Sequence, residues 1–370
     1  MAEYYSNSIS RKRRRQRKSY SGKEFALILL DVVVLIMMLG LISASVIAII
    51  CQYISPVKSG VLSIVALGAP IIYLLDIVVM FYWVVRWRWY RAVAMMAVVV
   101  VGMFYLPRYY KFELDRKYDT SYVERRFTKV MTYNVLEGKD EELPAYIAQN
   151  NPDILCLQEM VDLANLEVLC DKYNTTKQDG DGVGNQIFTR YRIIRSGEIN
   201  GLHRRNGVWA DLRVKEDTIR VVALHLQSTS IRPEDTRFIE RHKYLVDSER
   251  EERFRSIASR LVENNRKRAE QAEVVAQFLA TSPHTTIVCG DFNDVPLSYT
   301  YNTISNGVED TFSKMATGFA YTYNTLYGLL RIDNILVSPS VEVVSYEVDN
   351  TVQFSDHFPV IVRVKFNKTL

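Results

Sequence analysis

From Phe25 to Ile50 the chain carries a single charged side chain, Asp31, in an otherwise apolar run. A helix of that length crosses the roughly 30 Å hydrocarbon layer of a bilayer. It is too long for a signal-peptide core and lacks a small-residue cleavage pattern. Val61 to Val85 repeats the pattern with Asp76 as its single acid, and Ala92 to Leu106 is a shorter third run. The third run spans if the flanking Trp89, Tyr90, Tyr109 and Tyr110 sit in the headgroup belt and Arg91 snorkels. The chain therefore divides near residue 107. The expected order is a basic tail (1–24), a transmembrane region of three helices (25–106; about 25–50, 61–85 and 89–109), a connector (107–127) and a globular domain (128–370).

The cluster Arg11-Lys12-Arg13-Arg14-Arg15-Gln16-Arg17-Lys18 precedes the first run, where basic residues set a cytoplasmic N-terminus. Arg86, Arg88 and Arg91 then also fall inside. Three spans put the globular domain on the outer face, the periplasmic side of a bacterial inner membrane; if the third run does not span, the domain is cytoplasmic. Asp31 and Asp76 are expected in the inner half of antiparallel spans, sharing a partner such as Arg86 and serving helix assembly. The net charge of +4 is small and much of the excess lies in the tail, so composition gives no strong case for a nucleic-acid partner. Four cysteines without zinc spacing favour buried free thiols, and a reducing compartment, over a disulfide framework.

Beyond the connector, strand-like runs recur: Val130–Val135, Ile154–Gln158, Ile187–Thr189, Ile193–Ile199, Trp209–Val214, Ile219–Leu226, Thr286–Cys289, Ile332–Val337, Val341–Val348 and Pro359–Val364. Glu141–Asn150 reads as a helix, and Pro233–Leu279 as a solvated helix with intrahelical ion pairs, or as a lid or surface-docking arm. Many strands with few helices suggest two packed sheets flanked by helices, preceded by the transmembrane helices, and not a doubly wound parallel sheet.

Polar groups suited to a hard cation and a phosphate recur at strand ends. Asn134 closes the first strand and Gln158-Glu159 the second. His225 lies in Leu224-His225-Leu226, Gly290-Asp291-Phe292-Asn293 follows a buried strand, and Asp333 and Asp356-His357 complete the set. Carboxylate and amide oxygens are the ligands of magnesium, manganese or calcium. In an extended Asp-Phe-Asn stretch, Asp291 and Asn293 point to the same side. Each motif alone is weak.

Taken in order, Thr132-Tyr133-Asn134, Gln158-Glu159, the His225 strand, Gly290-Asp291-Phe292-Asn293, Arg331-Ile332-Asp333 and Ser355-Asp356-His357 resemble the endonuclease/exonuclease/phosphatase superfamily over Thr128 to about Val364. Gly184-Asn185-Gln186 looks like the segment before that family's central strands. The resemblance implies an α/β four-layer sandwich, two mixed sheets flanked by helices with the site at one end, and Glu159 as main metal ligand, with Asn134 beside it and Asp356 contributing directly or through water. It makes Asp291 the base that orients or deprotonates water and Asn293 a holder of a phosphoryl oxygen. His357, positioned by Asp333, would stabilise charge on phosphorus, and His225 would contact phosphate or assist the leaving oxygen. The implied cofactor is magnesium or manganese, with calcium as the alternative.

The expected activity is hydrolysis of a phosphodiester or phosphomonoester. Gly328-Leu329-Leu330 stands where inositol-phosphate phosphatases carry an aromatic-rich stretch, which disfavours that subgroup. Tethering raises the local concentration of bilayer substrates, so a lipid or other membrane-associated phosphoester, as in sphingomyelinases, is favoured. The alternatives are a membrane-tethered nuclease acting on DNA or RNA and a non-catalytic binding module.

Overall fold

The computed structural model describes residues 21–112, 127–161, 169, 171–176, 184–229, 235, 238, 247–324 and 330–366. The basic cluster, most of the connector and the start of the 233–279 insert lie outside these residues. The apolar part is a set of four helices: α1 (Gly22–Ile50), α2 (Gly60–Leu67), α3 (Ala69–Val85) and α4 (Trp89–Met103). Ser21 starts α1 with a capping box, its Oγ accepting from Glu24 N while Glu24 Oε2 accepts from Ser21 N. Gly22–Tyr53 is long and apolar enough to cross a bilayer by itself. The second run is not one straight helix as expected: it breaks at Gly68, and α2 and α3 meet at 65°. Pro70, in the first turn of α3, lacks the N–H that a continuous helix would bond to Ala66 and its ring opposes that carbonyl.

Asp31 receives Arg86 in a two-point contact, Nε to Oδ1 at 2.8 Å and Nη2 to Oδ2 at 3.0 Å, with the Tyr82 hydroxyl donating at 2.7 Å. Asp76 instead accepts from Ser45 Oγ at 2.5 Å. The two acids therefore share no partner, contrary to the sequence expectation. Ser45 lies fourteen residues beyond Asp31 on α1, about 21 Å along the helix, and Asp76 lies ten residues before Arg86 on the continuous α3, about 15 Å, so the two acids sit at different depths.

The globular part is built on two six-stranded mixed sheets, beside a two-stranded ribbon that joins β1 (Tyr110–Lys111) to β11 (Gly318–Phe319). The strands of the two sheets are β2 (Thr128–Glu137), β3 (Ile154–Met160), β4 (Asn174–Thr175), β5 (Gly184–Thr189), β6 (Arg192–Glu198), β7 (Gly207–Val214), β8 (Asp217–His225), β9 (Thr285–Asp291), β10 (Glu309–Asp310), β12 (Asp333–Val337), β13 (Val341–Val348) and β14 (Val360–Phe366). One sheet has the order β13-β14-β2-β3-β5-β4, the other β10-β12-β9-β8-β7-β6. Among the described residues only β2/β3 and β8/β9 pair in parallel, and both pairs are central. Their near-continuous apolar sequences follow from burial on both faces.

Val130, Cys156, Ile187, Val221, Cys289, Ile335 and Val362 pack between the sheets. Helix α5 (Leu143–Asn150) covers one outer face through Leu143 and Ile147. The long α6 (Asp247–Ala280) covers the other with Ala272 and Val275, beside Tyr301 and Ile304 of α7 (Tyr299–Ile304). The expected four-layer sandwich is thus formed. Most of the expected helix before Asp247 lies outside the described residues, and the buried stripe of α6 makes it a packed layer along much of its length. The short β1, β4, β10 and β11 and the helices α7 and α8 (Thr311–Met315) carry too few residues for a periodic signal.

The apolar helices dock on this sandwich at one end. Ala66 and Cys51 pack with Val295, and Ala48 and Ala69 with Leu297. Asn265 of α6 donates to Ser63 Oγ of α2 at 2.6 Å, and Arg108 bridges Gln52 Oε1 and Pro296 O.

Candidate active site

The site forms where the central parallel strands end. Across one sheet His225 registers with Asp291 and Asp291 with Asp333, so three strands present these side chains in a row. In the other sheet Asn134 registers with Gln158, and the pairing shifts immediately afterwards, between Asn134 and Glu137 and between Leu157 and Met160. Leu136, Glu137 and Glu159 take positive φ there (44°, 73° and 57°). The irregularity re-aims Glu159 out of the strand alternation and into the site. Gln158 stays buried against Thr132 and Cys156 and takes no part.

Asn134 Nδ2 donates to Glu159 Oε1 at 3.0 Å and to Asp291 Oδ2 at 3.2 Å, joining the two sheets. His225 Nε2 lies 3.3 Å from Glu159 Oε1 and 3.8 Å from Asp291 Oδ2. His357 Nδ1 lies 2.8 Å from Asp333 Oδ2, and its Nε2 lies 3.8 Å from Asp291 Oδ2. Asp291 is thus the hub. It is 1% exposed and accepts from Asn293 N at 2.7 Å and from Asn293 Nδ2 at 2.9 Å.

The expectation that Asp291 and Asn293 face the same place holds, but not through an extended backbone. The strand ends at Asp291, and Asn293 turns into the left-handed region at φ 52° while Phe292 enters the core. Gly290 permits the close approach that precedes this turn: its φ is 134°, and a Cβ there would sit 2.0 Å from Leu224 O.

Burial and the Asp333 charge push Asp291 up to about 6. Burial also acts to lower His357, but Asp333, Asp291 and Asp356 outweigh it and raise the imidazole to about 10. Glu159 moves the other way. Burial would raise it, yet the adjacent His225, Asn134 and His357 hold it down to about 2. One end of the site therefore keeps a carboxylate ionised, and the other keeps an imidazolium beside a carboxyl group that takes a proton readily.

Glu159, His225 and Asp291 form one cluster whose ligand atoms lie within 4.8 Å of one another; Asp291, Asp333 and His357 form a second. The Glu159 carboxylate suits a hard divalent cation, and Asn134 would add its amide oxygen by turning over, since Oδ1 accepts from Leu136 N at 3.2 Å while Nδ2 faces Glu159. The described cysteines 51, 156 and 289 are buried. The site fits a divalent cation. Asp356 belongs to neither cluster: it is half-buried, its carbonyl accepts from Asn324 N, and its carboxylate accepts weakly from Ser355 Oγ at 3.4 Å.

Three positioning residues carry no motif in the sequence. Thr322 Oγ1 accepts from Ile332 N and Asp333 N, both at 3.0 Å, and the Tyr323 ring lies 4.9 Å from that of His357. Asn206 brackets His225 by exchanging backbone and amide bonds with it. Arg331, adjacent to the Ile332-Asp333 pair, is structural: it is buried against Asp310 and donates to Arg108 O.

A sequence profile of the Endonuclease/Exonuclease/phosphatase family matches residues 131–357. The chain belongs to this family. Its members are metal-dependent phosphoester hydrolases. A second profile, for a domain of unknown function, matches residues 31–109. No curated protein sequence matches this chain. Solved structures similar to it include an endonuclease/exonuclease/phosphatase from Bacteroides vulgatus (17% identity, TM-score 0.48, 66% of this chain and all of that one). A 3'-5' exonuclease from Neisseria meningitidis is similar at 19% identity and TM-score 0.47, over 65% of this chain and 100% of that one. A mannosyl-6-phosphatase from Bacteroides thetaiotaomicron aligns at 19% identity and TM-score 0.45, with the same coverage.

Proposed function

We propose that this chain is a membrane-anchored, divalent-metal-dependent phosphoesterase acting on a lipid or other membrane-associated substrate. The observation that carries this reading is the convergence of Asn134, Glu159, His225, Asp291 and His357 at the strand ends, immediately before the Val295–Leu297 loop on which the apolar helices dock. A phosphoester at this site lies beside the helix ends. Large apolar side chains such as Phe25, Leu29, Ile36, Val61, Leu74 and Phe81 face outward from α1, α2 and α3. That apolar surface favours a hydrocarbon surround over water. Asp31 and Arg86 mark the helix ends remote from the catalytic domain, which supports three crossings with α2 as a bent entry to the second.

Glu159 and Asn134 are the residues that would hold the metal, with Asp356 reaching it through water. When bound, the ion neutralises charge on the phosphoryl oxygens. Asp291 aligns the attacking water and accepts its proton as the new P–O bond forms. Asn293 holds Asp291 through its backbone N–H and its amide, whose second proton goes to Leu226 O. His357, kept protonated by Asp333, faces the negative charge that grows on phosphorus, while His225 gives a proton to the departing ester oxygen.

The test is a parallel turnover screen of the full-length protein with magnesium or manganese, offering membrane lipids beside single- and double-stranded DNA and RNA. Hydrolysis of a lipid phosphoester is expected. Turnover of nucleic acid alone would make the chain a tethered nuclease, and turnover of nothing, bis-p-nitrophenyl phosphate included, would leave it a binding module.

A further inference from the structure

An apolar cavity of about 600 Å³ opens at the junction of the helices with the catalytic domain. This lies within the roughly 300–1,000 Å³ of small-molecule sites. Ile72 of α3 and Val98 of α4 form its helical walls, and Leu297 and Phe319 close it from the catalytic side. Ser45 and Asp76 lie at its deep end, seven residues down α3 from Ala69, or about 10 Å. Asp76 is 1% exposed and lends Oδ2 to Ser45, while its Oδ1 has no partner among the described residues. The polar pair therefore sets a floor to the apolar space.

Two short segments join this cavity to the phosphoester site. Leu297 follows Asn293 by four residues, and Tyr323, whose ring is tilted at 57° to that of His357, follows Phe319 by four. Each segment spans at most about 14 Å even fully extended. Phe319 is held at the mouth by the β1–β11 pairing and by the Tyr110 ring, 4.9 Å from its own. It remains 67% exposed. A molecule with its phosphoester among Asp291, His225 and His357 can thus reach the cavity with the remainder of its length.

We propose that the cavity receives the hydrocarbon tail of the substrate, so that tail length up to the Ser45–Asp76 floor determines specificity. The proposal deepens the lipid reading above and rests on it. An aqueous nucleotide chain has no apolar group of this shape, whereas a lipid tail enters without leaving hydrocarbon.

The test uses full-length protein in detergent micelles with alkyl p-nitrophenyl phosphodiesters of short, intermediate and long chain, which share one reacting group. In the wild type kcat/KM is expected to climb with chain length, by at most about fourfold per buried methylene, and then to plateau. Ile72→Trp and Val98→Trp, which fill the cavity, should each lower the long-to-short ratio by about tenfold or more. A flat wild-type series, or an unchanged ratio in both variants, overturns the proposal. An alkyl phosphate bearing a terminal diazirine gives a readout independent of the variants' folding. Cross-links to peptides holding Leu297 or Phe319 support the cavity, and cross-links confined to the outward faces of α1 and α3 overturn it. If the series has its slope and its sensitivity but no membrane lipid is hydrolysed, the natural-lipid reading fails while the tail site stands.

Discussion

Arg268 of α6 and Asp294 form an ion pair at 3.2 Å in which neither side chain has more than 6% exposure. The same guanidinium donates to Gln227 O at 2.8 Å and to Asn265 Oδ1 at 2.9 Å. One buried cation thereby ties the segment after His225 to the segment after Asn293, and through Asn265 to Ser63 on the docked helix α2. Removing one partner of such a pair strands the other charge, at a cost of about 3–5 kcal/mol. Arg268→Ala is expected to lower thermal stability by that order, and Arg268→Met with Asp294→Leu to recover part of the loss. A double-mutant cycle in thermal midpoints, read beside activity, measures the coupling. Additive effects would remove the pair from this role.

Glu159→Ala, Asp291→Ala and His357→Ala are each expected to reduce hydrolysis of bis-p-nitrophenyl phosphate by on the order of 10²–10⁴-fold, the range for a lost general base or charge stabiliser. Circular dichroism should stay native for Glu159→Ala, whose side chain is a third exposed. Wild-type rates in these variants would refute the site assignment.

The raised imidazole of His357 has a definite sign for stability. Its affinity for a proton is higher folded than unfolded, so its contribution is fully present below pH 6.5 and is lost as pH rises through about 10. Asp333 is the main group raising it, at 2.8 Å. In metal-free protein, NMR of the His357 ring should give an imidazolium at pH 8. Asp333→Asn should bring its titration down toward the ordinary range and shrink the loss of stability at alkaline pH. A ring neutral at pH 8 in the wild type would contradict the arrangement.

Burial first and the Asp333 charge second raise Asp291 to about 6 in the metal-free protein, so a cation bound beside it would be stabilising. Magnesium at a hundredfold excess over its dissociation constant adds about 2.7 kcal/mol. For a domain of this size that corresponds to a rise in thermal midpoint of roughly 5–10 °C. Scanning calorimetry with magnesium, manganese and calcium tests this, and Glu159→Ala should abolish the rise. An identical rise in that variant would move the metal elsewhere.

Sandwich architecture and most strands were legible because burial on both faces writes continuous apolar runs such as Ile154–Leu157 and Ile287–Cys289, bounded by polar strand ends. The acids and histidines were legible as chemistry because they interrupt those runs. What the pattern did not carry was geometry made by backbone irregularity: Glu159 aims through a positive φ, Asn293 reaches Asp291 through a left-handed turn, and Pro70 breaks a run that hydropathy reads as continuous. Thr322, Tyr323 and Asn206 were invisible for another reason. They act through a few long-range contacts that leave no local periodicity.

The pairing of Asp31 with Arg86 and Arg88 fixes which helix ends lie together, remote from the catalytic domain. With α1 leading away from that end, α3 returning to it and α4 leaving again, Ser21 and Arg88 should share one face of the membrane and the catalytic domain the other. Single cysteines at Ser21, Arg88 and Glu347, in a background with the native cysteines replaced, allow labelling of intact cells by a membrane-impermeant maleimide. Labelling at Glu347 alone is expected. Labelling that groups Glu347 with Arg88 would mean that α4 does not cross, and would put the catalytic site on the cytoplasmic face.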